Sequence, residues 1–202
     1  MTHEHGAGLE EEEEHQYFAL TLLTLAHGGL LFALGIMRVP MGGGDDGEEE
    51  EEEEDEEEIV CFNAQTLKVR HRFGRGMFGD GYRVCGMAAV GNELFVLVGA
   101  PNNSIKIFSL FGAHLRSFGL GDCAYPRQLH HFDGRLYLID HHTNYEDTRI
   151  VVLTLEGERL QVWTPDAGRA LNRLLGIYGR KLLIRTTAVS SSDWRLEALQ
   201  GI

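Results

Sequence analysis

The sequence predicts an all-β, propeller-like fold of about four blades, each of four antiparallel strands. Three markers that recur about every 45 residues predict it. An apolar strand closed by an aromatic residue ends at Phe73, Phe118 and Trp163. A second marker, Ile59-Val60-Cys61-Phe62, returns as Ile105-Lys106-Ile107-Phe108 and as Ile150-Val151-Val152-Leu153. The third, Leu94-Phe95-Val96-Leu97-Val98, returns as Leu136-Tyr137-Leu138-Ile139 and Leu182-Leu183-Ile184. An earlier copy, Leu31-Phe32-Ala33-Leu34, falls into the same period once the 18 residues 41–58 are set aside as an insert.

Taken in order, residues 1–16 are acidic and polar, with too little apolar surface to fold, and are expected to be disordered. Residues 17–74 form the first blade, interrupted by the acidic low-complexity insert 41–58. Within it, the 21 residues from Tyr17 to Met37 carry no formal charge and are long enough to span a membrane. They also read as two strands joined by Ala26-His27-Gly28-Gly29. The repeat favours the hairpin, because Gly28 to Phe32 aligns with Gly91-Asn92-Glu93-Leu94-Phe95, whose turn is charged. The glycine-rich stretch from Gly74 to Gly81 reads as a flexible linker.

Residues 82–119 form the second blade, with turns at Gly91-Asn92, Pro101 to Asn103 and Phe111-Gly112. Residues 125–163 form the third, turning at Asp133-Gly134, His142 to Glu146 and Glu156-Gly157. Residues 168–202 make a partial fourth blade without an outer strand. The expectation is therefore a fragment of a larger propeller, with open blade edges through which copies self-associate.

The formal charge of −13 comes from two runs: 13 acids in residues 45–58 and five glutamates in residues 10–14. With these and Glu4 set aside, 12 acids face 18 cations, 15 of them Arg, so the remaining body is basic. Three cysteines without CxxC spacing argue against a disulfide framework and for a reducing compartment, cytoplasmic or nuclear.

The third unit is similar to an NHL repeat, on Tyr125-Pro126, Gly134-Arg135-Leu136-Tyr137-Leu138-Ile139-Asp140, Arg149-Ile150-Val151-Val152-Leu153 and Gly157. The second unit resembles it less, since Val98-Gly99 stands where the Asp would be. The resemblance covers residues 82–163 and implies a ligand-binding propeller, often for proteins and sometimes for RNA. Asp140 and Arg149 match the family's charged positions and, with Gly134 and Gly157, are read as structural repeat positions.

Candidate sites are few. Arg70, Arg72, Arg116, Arg127 and Arg135 are the binding candidates, a basic face for phosphates if they converge. The acidic run is expected to stay solvated, as an electrostatic modulator or a solubilising expansion. His131 and His142, beside His130, His141, Asp133 and Asp140, are the weak metal candidates. Adjacent histidines on a strand face opposite ways and no HxH spacing joins them, so they read as turn and surface histidines. No GxSxG or P-loop is present, and the glycine-rich Gly74 to Gly81 joins two blades without opening a helix, so it reads as a linker rather than a phosphate cradle.

The expectation is a non-catalytic platform, with no cofactor, for a macromolecular and mainly protein ligand. RNA binding through the arginines is the first alternative. A metal-dependent propeller lyase or hydrolase fragment is the second.

Overall fold

The computed structural model describes residues 17–40, 53–79, 83–101, 103–141, 148–178, 181–189 and 193–200. These residues form fifteen β-strands in four antiparallel sheets, with no helix among them. In every sheet the strands lie side by side in chain order. Sheet 1 holds β1 (Tyr17–Ala26), β2 (Leu30–Pro40), β3 (Glu53–Asn63) and β4 (Val69–Phe73). Sheet 2 holds β5 (Val84–Val90), β6 (Glu93–Val98), β7 (Ser104–Ser109) and β8 (His114–Gly119). Sheet 3 holds β9 (Pro126–Phe132), β10 (Arg135–His141), β11 (Thr148–Thr154) and β12 (Arg159–Trp163). Sheet 4 holds β13 (Arg169–Tyr178), β14 (Lys181–Ala188) and β15 (Trp194–Gln200).

The hairpins form where local chemistry favours them. Asp133 and Gly134 both sit at positive φ, 49° and 72°, the backbone a two-residue β-turn demands. Strands alternate apolar residues on both faces, because each inner sheet is covered on both sides. Three apolar layers result, one between each pair of neighbouring sheets. Ile59, Ile105 and Ile150 occupy equivalent positions in β3, β7 and β11, and each is fully buried against the next sheet. Burial of one such side chain contributes about 1.5–3 kcal/mol.

Two expectations change. The insert was bounded at 41–58, yet β3 begins at Glu53 and pairs with β2 out to Pro40↔Glu53. The ladder continues outward from Leu34↔Ile59 because backbone pairing needs no apolar side chain. The acidic side chains nearest the sheet are also engaged: Glu58 meets Arg72, Glu56 meets Arg75, and Glu57 accepts from Val84 N. The residues before Glu53 in that run, the N-terminal 1–16 and His142 all lie outside the described residues.

The described part of the glycine-rich linker, residues 74–79, is anchored at Phe78. Phe78 is buried in the layer between sheets 1 and 2, against Phe108. Gly74 leaves it room, since a Cβ there would lie 2.8 Å from the Phe78 ring. Residues 17–37 form the β1–β2 hairpin, turning at His27 to Gly29. No helix among the described residues is long and apolar enough to cross a membrane.

Candidate functional site

An up-and-down sheet has two ends, and the chain uses them differently. One end carries the turns that join first to second and third to fourth strands. The other carries the second-to-third loops and the linkers between sheets.

The candidate arginines do not gather at either end. Arg127 is the second residue of β9, whereas Arg135 opens β10 opposite Phe132, at the far end of the same hairpin. Arg70 and Arg72 lie on β4 and Arg116 on β8, both outer strands. Carboxylates occupy two of them. Arg72 Nε lies 3.6 Å from Glu58 Oε1. Arg116 donates through both terminal nitrogens to Glu93, at 2.6 and 3.0 Å, and its guanidinium sits 5.7 Å above the Phe95 ring. The geometry therefore does not assemble a single basic face from these five.

Asp140 and Arg149 do come together. Asp140 is fully buried at the end of β10. Its Oδ1 accepts from Ala124 N and Tyr125 N at 3.0 and 2.9 Å, while Oδ2 accepts from Arg149 Nε at 3.0 Å. Arg149 reaches on to the Asp122 carbonyl at 2.9 Å. One carboxylate thus ties the linker from sheet 2 into sheet 3, with its charge matched by a guanidinium.

A second set of residues recurs at one place in every complete sheet, and sequence reasoning missed it. Glu57, Asn103 and Thr148 each lie two residues before the buried isoleucine of the third strand. Glu57 Oε2 accepts from Val84 N of β5 at 2.8 Å. Asn103 Nδ2 donates to the Cys123 and Ala124 carbonyls at 2.7 and 2.9 Å. Thr148 Oγ1 accepts from Leu171 N of β13 at 2.6 Å. Each satisfies backbone groups where the next sheet begins, which would otherwise be buried without partners. The signal was present as a polar residue at a constant offset from the 45-residue marker. Burial pushes the Glu57 carboxyl up, against the opposing pull of the Val84 N–H and of Arg83.

The inner strands β1, β5 and β9 line a cleft of about 390 Å³. Cys85 and Gln128 are extra residues in their strands, where the pairing slips by one, and both line the cleft. Gln128 sits at φ 50°, and its Oε1 accepts from Leu174 N of β13 at 2.9 Å. Gly86 permits the close approach of β5 to β9, since a Cβ there would lie 2.5 Å from Leu129 N. Burial lowers the pKa of His130 and of His131, which favours neutral imidazoles, and it pushes the Cys85 thiol up. Cys123 is pushed up to about 12 by burial, with Asp140 adding to it, so it stays a thiol. Among the described residues, no three His, Cys, Asp or Glu converge as metal ligands would.

No family model matches this chain, and no curated protein matches it. Solved structures do. A study of two prolyl endopeptidases provides one, with a TM-score of 0.53 and 16% identity over 87% of this chain. The fold is a β-propeller. This chain spans 26% of the length of that endopeptidase chain. A nidogen/laminin complex is also similar, at a TM-score of 0.48 and 12% identity, over 90% of this chain and 80% of that one. The four sheets are propeller blades, with β1, β5 and β9 lining the cleft and β4, β8 and β12 as outer strands.

Proposed function

We propose that this chain is a non-catalytic propeller that serves as a binding platform for another macromolecule, a protein, engaged at the end of the blades that carries the strand turns. One observation supports the reading. Phe111 and Leu67, in turns on that end, and Tyr178, the last residue of β13 there, are 85%, 64% and 77% exposed. Exposed aromatic and aliphatic anchors on a rigid β-scaffold are what a protein partner uses, whereas nucleic acid calls for unpaired cations. The resemblance of the third blade to NHL repeats points the same way. The acidic run serves as an electrostatic modulator, its last three glutamates held by Arg75, Val84 N and Arg72.

The reading is tested by panning a random-peptide library against the full chain and measuring the recovered peptides on variants. Phe111→Asp or Tyr178→Asp should weaken binding by about tenfold or more. Tyr125→Asp, exposed at the linker end, should leave it unchanged. Peptides that bind the first two variants as tightly as the unmodified chain would refute the turn-end site.

A further inference from the structure

Each sheet has two edge strands, and among the described residues all but one of these strands are interrupted. On the inner side, β1, β5, β9 and β13 each slip in register against the strand beside them. On the outer side, Arg70, Leu115 and Leu160 are extra residues in β4, β8 and β12, where each strand slips past its partner. Bulges of this kind blunt an edge against further pairing. The exception is β15. It pairs with β14 without a slip from Thr187↔Trp194 to Lys181↔Gln200, and it contains neither Pro nor Lys. The same regularity joins β2 to β3, β6 to β7 and β10 to β11, all pairs in which the third strand carries a fourth. No strand among the described residues lies on the outer side of β15.

The repeat indicates what that edge is shaped to hold. β15 is the counterpart of β3, β7 and β11, with Leu196 in the place of Ile59, Ile105 and Ile150. Each of the three isoleucines is paired with an aromatic residue of the fourth strand: Phe73, Phe118 and Trp163. Two residues further along the third strand, the partner is polar each time. His71 pairs with Cys61, Arg116 with Ile107 and Gln161 with Val152.

The backbone points the same way. Asn63, Ser109 and Thr154, four residues after the isoleucines, donate their N–H groups to the Lys68, Ala113 and Glu158 carbonyls at 2.9, 2.8 and 2.8 Å. Alternation then turns the N–H and C=O of each isoleucine toward the fourth strand. In sheet 4, Asp193 O accepts from Ala188 N of β14 at 2.9 Å. Arg195 and Glu197 therefore face β14, and Trp194, Leu196 and Ala198 turn their backbone groups to the open edge.

We propose that the outer edge of β15 receives an extended segment of a partner protein as an antiparallel fourth strand, with an aromatic residue opposite Leu196 and a polar residue opposite Ala198. The acidic stretches 1–16 and 41–52 contain no aromatic residue, and β4, β8 and β12 are already paired, so the strand comes from a partner. Main-chain hydrogen bonds supply the attraction, and the aromatic residue fixes the register. This edge is a different surface from the turn-end aromatics, so either site can fail alone.

The probe is a fluorescein-labelled peptide of residues 157–164, the chain's own fourth-strand sequence, titrated against the full chain by fluorescence anisotropy. Saturable binding is the expected result. Replacing Trp163 by Ser in the peptide should weaken it about fivefold. N-methylation at Gln161, whose N–H meets the edge, should weaken it about tenfold or more. N-methylation at Val162, whose N–H points away, should leave it unchanged.

Amide hydrogen exchange of the full chain with peptide bound reads the edge directly. Trp194, Leu196 and Ala198 should slow, while Arg195 and Glu197, already facing β14, should change little. No binding up to millimolar peptide, equal binding of the two N-methylated peptides, or protection that does not alternate along β15 would each overturn the proposal. So would a mass of two chains before peptide is added, with the same three amides slowed, since a second copy would then hold the edge.

Discussion

Phe73, the last residue of the first blade's outer strand, closes directly over Gly112 in the second blade's outer turn. A Cβ on that glycine would lie 2.6 Å from Phe73 Cγ. The relationship repeats one blade later, where a Cβ on Gly157 would lie 2.5 Å from Phe118 Cδ2. The recurring aromatic and the recurring turn glycine are thus two halves of one contact between blades. Either residue alone would read as a local feature, a strand end or a turn.

This contact sets an order of sensitivity among turn glycines. Gly157 and Gly134 both lie at positive φ, 94° and 72°, but nothing stands within 4 Å of a Cβ on Gly134. Gly157→Ala meets both backbone strain and the Phe118 ring and should cost about 2–4 kcal/mol, whereas Gly134→Ala should cost about 1 kcal/mol. Urea midpoints of the two variants decide it. Equal losses would mean that Phe118 swings aside freely.

Asp140 should be among the costliest single truncations. Asp140→Ala strands the Ala124 and Tyr125 backbone N–H groups and leaves Arg149, only 15% exposed, without its nearest carboxylate. The expected loss is about 3–5 kcal/mol, measured by denaturant unfolding. By contrast Arg159→Ala, whose partner Asp122 is a surface carboxylate, should cost under about 1 kcal/mol. A loss at Asp140 no larger than that at Arg159 would show that the linker holds itself in place.

The Glu57 carboxyl makes the joint between blades one and two sensitive to pH. Burial raises its folded pKa above the ordinary 4.5, so the folded protein retains a proton that the unfolded chain releases. That contribution to stability is complete below 4.5 and is lost as pH rises through the raised folded value. Glu57→Gln keeps an acceptor for Val84 N and removes the titration. The variant should therefore gain stability relative to the unmodified chain between about pH 4 and pH 7. Unfolding midpoints of both proteins at the two pH values test this, and a constant difference would mean that Glu57 stays solvated.

Much of the fold was legible because the rules that build a blade act over short distances. The markers ending at Phe73, Phe118 and Trp163, and the glycines at Gly91, Gly112, Gly134 and Gly157, place strands and turns through alternation and backbone freedom alone. The hairpin reading of residues 17–37 followed from the same repeat. The acidic run deceived that reasoning, because strand pairing is a backbone property and β2 carried β3 out to Glu53 in spite of its charge. Composition also made the arginines look like one basic set. Only their positions in the sheets showed Arg72 and Arg116 held by Glu58 and Glu93, and Arg127 and Arg135 at opposite ends of a hairpin.

What the chain determined by itself was the repeating unit, through periodicity and turn chemistry. What the tertiary structure decided was the joints: Glu57, Asn103 and Thr148 binding the start of the following blade, Phe78 anchoring its linker, and Leu196 left uncovered. Those outcomes depend on which backbone groups and which faces remain unpaired once whole sheets are stacked. That quantity exists only between blades, and no window of sequence within one blade contains it.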